Sequence, residues 1–291
     1  MARSAGAAVT SMNWLNKMRP GAGFPWLAFG FLALLLICVV FGSALAGSAA
    51  TKMNLGARMV PPGTLEGGFL NILGTDSLGR SMLARLAFAA RMTLLIAGSA
   101  VLFSLVVGGT LGLISGYFGG VVGAVLMRIA DILQSFPAVL LAIVVLYIFG
   151  SGPLNIVMVL AVTRAPVYLR TARALTLELR TRLFTDAARS FGGSGAYILR
   201  RHITPIVVPT LLSIATVDFA VVMLAEAGLS FLGIGIQPPD VTWGLMVSQG
   251  RTYVAQAWWL AFLPGLAIML TALSANIVSN WFREQSDGGD R

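Results

Sequence analysis

Residues 92–127 read MTLLIAGSAVLFSLVVGGTLGLISGYFGGVVGAVLM, a run of 36 residues without Asp, Glu, Lys, Arg or His. A helix that crosses a bilayer needs about 20 apolar residues, so this run is too long for one span. Ser115-Gly116-Tyr117-Phe118-Gly119-Gly120 punctuates it and predicts a break into two. Outward from there the pattern repeats. Residues 132–163 are also uncharged and are broken at Gly150-Ser151-Gly152-Pro153. Residues 24–46 are free of charge and follow Arg3, Lys17 and Arg19. That first run is about twice the length of a signal-peptide core, which points to an uncleaved first span. Two further apolar stretches follow the basic segment that ends near residue 205. The expectation is an all-α integral membrane protein with six transmembrane helices, at roughly 24–46, 92–114, 122–148, 154–173, 206–226 and 258–281.

Composition agrees. The chain has 291 residues, 57% of them hydrophobic and 11% charged. A soluble domain carries roughly 25% charged residues. The net charge of +9 lies between apolar runs rather than along one solvated face. Anionic lipid head groups and protein partners explain that distribution, and nucleic acid does not. Cys38 and His202 are each the only residue of their type, which excludes an internal disulfide, a cysteine metal cluster and a His-rich metal site.

Six spans put both termini on one side. Arg and Lys gather in the N-terminal tail 1–23, in 170–202 and in the tail 283–291, so this side is cytoplasmic. The remaining divisions are an external loop 47–91 and a five-helix core 92–282 with a cytoplasmic loop 174–205. Lys52, Arg58, Arg80, Arg85 and Arg91 resist this assignment, because they fall in the external loop. The Trp residues (14, 26, 243, 258, 259 and 281) stand mostly near span ends, where interfacial anchors belong. The end of the tail, 286–291, reads as disordered. Gly108, Gly109, Gly112 and Gly116 suit close helix approach, within the chain or to a second subunit.

The segment 178–205 reads as two short helical pieces. Thr185 is a candidate N-cap with Asp186 in the first turn. Ala187 and Ala188 present a small surface, Gly192 and Gly193 allow a turn, and Pro205 tolerates a helix start. Such a protruding knob suits a cleft on a partner. Arg164 and Asp218 fall near the middle of their spans, where an isolated charge costs about 3 kcal/mol. Two readings stand. They form a structural ion pair, with each other or with Asp131 or Glu226, or they face a pathway and attract a substrate carboxylate and amine. Asp131 is expected to pair with Arg128 or the following loop, and Glu226 to cap the loop 227–257. His202 reads as a solvent-side histidine. The chain has no Gly-x4-Gly-Lys-Ser/Thr loop to cradle phosphates, and no nucleophile–base pair marks a catalytic site.

Several motifs in order carry a resemblance. They are Gly74-Thr75-Asp76-Ser77-Leu78-Gly79-Arg80, Asp131 to Pro137, Pro166-Val167-Tyr168-Leu169-Arg170-Thr171-Ala172-Arg173, and Asp186-Ala187-Ala188-x3-Gly192-x9-His202-x2-Pro205. Glu226 to Gly233, Gln237-Pro238-Pro239 with Trp243-Gly244, and Ala257 to Gly265 complete the set. Over about residues 70–282 the chain resembles the C-type permeases of dipeptide, oligopeptide and nickel ABC importers. It departs from them at Asp186 (usually Glu), Leu169 (usually Ala) and Thr204 (usually Leu). The resemblance implies a type I ABC importer permease in a bacterial inner membrane. It implies a homologous B-type permease as heterodimer partner, two ATPase subunits that bind ATP and Mg, and an external substrate-binding protein. The implied ATPase-coupling residues are Asp186, Ala187, Ala188, Gly192, His202 and Pro205. Oligopeptides or dipeptides are the expected cargo. Nickel or another small solute is the alternative, and a non-transporting scaffold or channel is a second one.

Overall fold

The computed structural model describes residues 25–64 and 68–287. The tail 1–23 and residues 288–291 lie outside the described residues. Those described are helical apart from loops and one isolated bridge between Thr75 and Ser81. The long helices are α1 (Trp26–Thr51), α2 (Met82–Phe118), α3 (Gly120–Ser135), α4 (Ala138–Phe149) and α5 (Pro153–Arg180). The short helices α6 (Leu183–Ser190) and α7 (Gly195–Ile198) lead through a π turn (Leu199–Ile203) into α8 (Thr204–Phe231). Last come α9 (Trp243–Gly250) and α10 (Trp259–Asp287).

By length and composition, three helices can cross a membrane: Met82–Phe118, the continuous run Gly195–Phe231, and Trp259–Trp281. A fourth is the pair α3 and α4 taken together. Six qualifying spans are therefore not found among the described residues. Trp26–Gly42 is a shorter apolar helix, and α5, which carries Arg164, Arg170, Arg173, Glu178 and Arg180, is not among the qualifying spans.

Boundaries differ from expectation for local reasons. Helix α2 begins at Met82, ten residues early, because Ser81 caps it by accepting from the Ala84 N–H. Arg85 and Arg91 are thus helical. The break after Phe118 holds, at Gly119. The expected single helix 122–148 does not. It bends by 89° between α3 and α4. Pro137 has no N–H to give and forces Phe136 into an extended conformation (φ −94°, ψ 139°). Helix α5 continues to Arg180, so the loop expected from residue 174 starts seven residues later. Helix α10 continues to Asp287, so Ser286 is helical rather than disordered.

The core of the molecule is the crossing of α2 and α5. Every fourth residue of α2 is small: Ser104, Gly108, Gly112 and Gly116. A Cβ at Gly108 would stand 2.4 Å from the Ala165 carbonyl oxygen, and one at Gly112 2.4 Å from that of Leu169. At Gly116 it would meet the Thr176 Cβ at 2.7 Å. Ser104 Oγ donates to the Ala161 carbonyl at 2.9 Å. In lipid, where apolar side chains gain nothing by leaving the solvent, such close backbone contact is what holds helices together. This glycine row is spent on internal packing.

Candidate functional site

Three places gather the polar chemistry of the chain. The first is the knob between α5 and α8. Helix α6 is capped by Arg182, in extended conformation, and not by Thr185. Thr185 lies inside the first turn, fully buried, and donates to the Leu179 carbonyl at 2.9 Å. Its hydroxyl pins the knob to the end of α5. Asp186 is in the first turn, exposed, and accepts from Arg189 at 3.3 Å. Ala187 is exposed and Ala188 half-buried. Gly192 ends the piece with φ +81°, the left-handed region that favours glycine. The Gly193 N–H closes the turn on the Ala188 carbonyl at 3.0 Å.

Ser194 then caps α7. His202 is half-buried, its ring edge-on to Tyr197 at 5.7 Å, and Pro205 stands in the first turn of α8. The knob touches the membrane helices at Tyr117, whose ring a Cβ at Gly195 would meet at 3.0 Å. Arg180 donates to the Tyr117 carbonyl at 2.9 Å. On its free side the knob is apolar: Leu183 is 88% exposed and Phe191 91%.

The second place is the middle of α5 and α8. Arg164 and Asp218 form an ion pair. Asp218 is buried; the Arg164 side chain keeps 31% of its surface. Arg164 Nε is buried with no hydrogen-bond partner, and the Tyr168 hydroxyl stands against the Asp218 carboxylate. Six residues on, Arg170 donates to Asp131 at 2.7 Å, where Arg128 or the following loop was expected.

The third place faces the opposite end of α2. Asp76 accepts from the Leu78 N–H (2.9 Å), the Arg80 N–H (2.8 Å), Arg80 Nε (2.7 Å) and Arg85. Gly79, at φ +75°, makes the turn; a Cβ there would overlap the Asn54 carbonyl. Arg85 also donates to Gln249 of α9 at 3.2 Å. Trp243 donates from Nε1 to the Leu86 carbonyl at 2.9 Å, and its N–H to Thr93 Oγ1 at 3.0 Å. Trp259 Nε1 donates to the Thr75 carbonyl at 3.1 Å. Trp243 and Trp259 are thus buried bolts rather than interfacial anchors. Glu226 accepts from Ser230 (2.8 Å) and from Thr242 (3.0 Å), the residue that caps α9, and so fastens the loop it was expected to cap.

Burial alone would raise the Asp76 carboxyl, but the Arg80 N–H and the Arg85 and Arg80 charges outweigh it and hold it below its ordinary 3.8. A lowered native value gives stability that is complete above the unfolded value and lost as pH falls through the native one. The unfolding temperature of the purified protein is expected to drop as pH falls from about 5 through the ordinary 3.8 and below. Asp76→Asn is expected to start lower and to lose less over that window, as read by tryptophan fluorescence.

The family described as "Binding-protein-dependent transport system inner membrane component" matches residues 108–287, more than half of the chain. This stretch holds the glycine row from Gly108, the knob, and the Arg164–Asp218 pair. The chain belongs to that family. As an inner membrane transport component it has relatives along nearly its whole length. It is 36% identical over 258 residues to the di/tripeptide transport system permease protein DppC of Pseudomonas aeruginosa, covering 88% of this chain and 85% of the relative. It is 32% identical over 276 residues to the probable D,D-dipeptide transport system permease protein DdpC of Escherichia coli, covering 92% and 91%. To the glutathione transport system permease protein GsiD of Shigella sonnei it is 38% identical over 214 residues, covering 74% and 71%. The expected resemblance to peptide importer permeases is thereby met, and this chain is a permease component of the membrane.

Sequence reasoning picked out the knob and the mid-helix pair. The Gly74–Arg80 stretch is visible in the sequence, but its partners are not. The signal for the Arg85–Gln249 contact was weak, since the two residues are 164 positions apart.

Proposed function

We infer that this permease is one membrane subunit of an ATP-driven importer of dipeptides or oligopeptides. The observation that carries the coupling half of this reading is the knob. Leu183 and Phe191 stand almost fully exposed on a segment pinned to the core by Thr185 and Arg180. Large exposed apolar side chains on a firmly held protrusion suit a partner's cleft. The partner is an ATPase subunit, one of two in the complex, each binding ATP and Mg. Asp186, Ala187, Ala188 and Gly192 supply the docking surface, and His202 and Pro205 begin the return to the membrane. The peptide cargo follows from the relatives named above.

In this reading α1, α2, the bent pair α3–α4, α5, α8 and α10 make six crossings, with both termini cytoplasmic. The charges of α5 turn away from lipid, toward the pathway and a homologous B-type permease. An external substrate-binding protein delivers cargo near the 52–81 loop and α9. ATPase closure moves the knob, which shifts the helices as bodies between inward- and outward-open states. Helix α2 is about 55 Å long and touches the knob through Tyr117 at one end and α9 through Arg85 at the other.

Phe191→Asp tests the coupling. Phe191 is exposed, so the change is expected to leave stability within about 0.5 kcal/mol. The ATPase is expected to fall away on co-purification. Gly192→Trp is expected to do the same, with added backbone strain. Full retention of the ATPase by Phe191→Asp would contradict the docking role.

A further inference from the structure

Between α4, α5 and α8 lies an apolar cavity of about 110 Å³. Val139 and Ala142 face it from α4, Leu160 from α5, and Val222 and Leu229 from α8. The charged residue in its wall is Arg164. Asp218 grips this guanidinium from behind, yet Arg164 keeps 31% of its side-chain surface free. Its Nε–H is buried and has no acceptor. A guanidinium carries five donors in a planar fork and can serve two carboxylates. The site therefore sets a partly free guanidinium beside an apolar hollow, near the middle of α5.

We propose that this cavity seats the C-terminal residue of a peptide in transit, with its α-carboxylate on Arg164 and an apolar side chain in the hollow. The inference rests on the peptide-importer reading above. Size fixes how much of the peptide enters. An apolar cavity of about 150 Å³ holds one benzene ring, so this one takes a single aliphatic side chain and not a whole dipeptide. Charge fixes which end. A carboxylate near mid-bilayer is costly unless a cation meets it, and Arg164 is the cation of this cavity. Asp218 is a positioning residue: its buried carboxylate keeps the fork turned toward the hollow. Asp131 and Arg170 continue the polar face toward the cytoplasmic end of α5, their side chains 50% and 42% exposed.

The experiment uses the intact transport complex with its binding protein in proteoliposomes. Uptake is compared for a labelled tripeptide ending in leucine, the same peptide as its C-terminal amide, and one ending in glycine. The intact complex is expected to favour the free acid over the amide. Arg164→Met with Asp218→Asn removes both charges, avoiding a lone buried ion. It is expected to reduce that preference about tenfold, the worth of one charge-assisted hydrogen bond. The binding protein is common to both arms, so a changed ratio belongs to the permease. Ala142→Leu fills the hollow without touching charge and is expected to slow the leucine peptide while sparing the glycine one. An unchanged acid-to-amide ratio in the double variant, or equal slowing of both peptides by Ala142→Leu, would overturn the proposal. An intact complex with no ATP-dependent uptake of any peptide would instead overturn the importer reading on which it stands.

Discussion

Gly112→Ala should destabilise the protein, and Gly98→Ala on the same helix should not. Alanine in a helix normally gains up to about 1 kcal/mol over glycine. At Gly98 a Cβ has nothing closer than the Phe219 ring at 4.0 Å, so that gain is available. At Gly112 the Cβ would be 2.4 Å from the Leu169 carbonyl oxygen and 2.7 Å from the Ala172 Cβ. Both neighbours are rigid parts of α5, so the helices must part. Overpacking of this kind costs about 1–3 kcal/mol, and here it also opens the contact that fixes Gly108 and Gly116. The check is the thermal midpoint of the detergent-solubilised protein. The two alanines should move it in opposite directions. Equal shifts would mean that the α2–α5 crossing is not the core of the fold.

Asp218→Ala should cost about 3 kcal/mol, the larger part of it from the arginine left behind. Arg164 cannot withdraw its charge at membrane depth, and its Nε already lacks a partner. The loss should be visible as a poor yield of monodisperse protein. Adding Arg164→Met to this variant should restore most of the yield, because a neutral, packed pair avoids the desolvation of both ions. If the single variant folds as well as the original, Arg164 has another partner and the pair is not what holds α5 to α8.

The parts of this fold that were legible in the sequence are those written in local patterns. The uncharged run 92–127 and the Gly119 break needed only length and glycine. The knob was visible as a polar, glycine-punctuated interval between apolar runs, and Arg164 and Asp218 stood out because charge at that depth needs a partner. Two readings failed where a local pattern has two meanings. Thr185 looked like a cap, but Arg182 provides the extended residue and Thr185 turns inward to Leu179. Trp243 and Trp259 looked like interfacial anchors, but each spends its indole N–H on a distant carbonyl. The right angle at Pro137 is not legible from Phe136-Pro137, since the uncharged run 132–163 continues across it. The contact of Arg85 with Gln249 joins residues too far apart in sequence for any pattern to link them. What the sequence withheld is largely the end of the molecule around Asp76 and α9, where short elements are held by side chains rather than by hydrophobic length.

The most direct measurement of the account is ATP-dependent uptake of a labelled tripeptide into proteoliposomes. These would hold the complex that co-purifies with this chain, with its binding protein added outside. An ATPase should be present, and uptake should require ATP and be lost in Phe191→Asp. A complex that contains no ATPase, or uptake that proceeds equally without ATP, would contradict the importer reading.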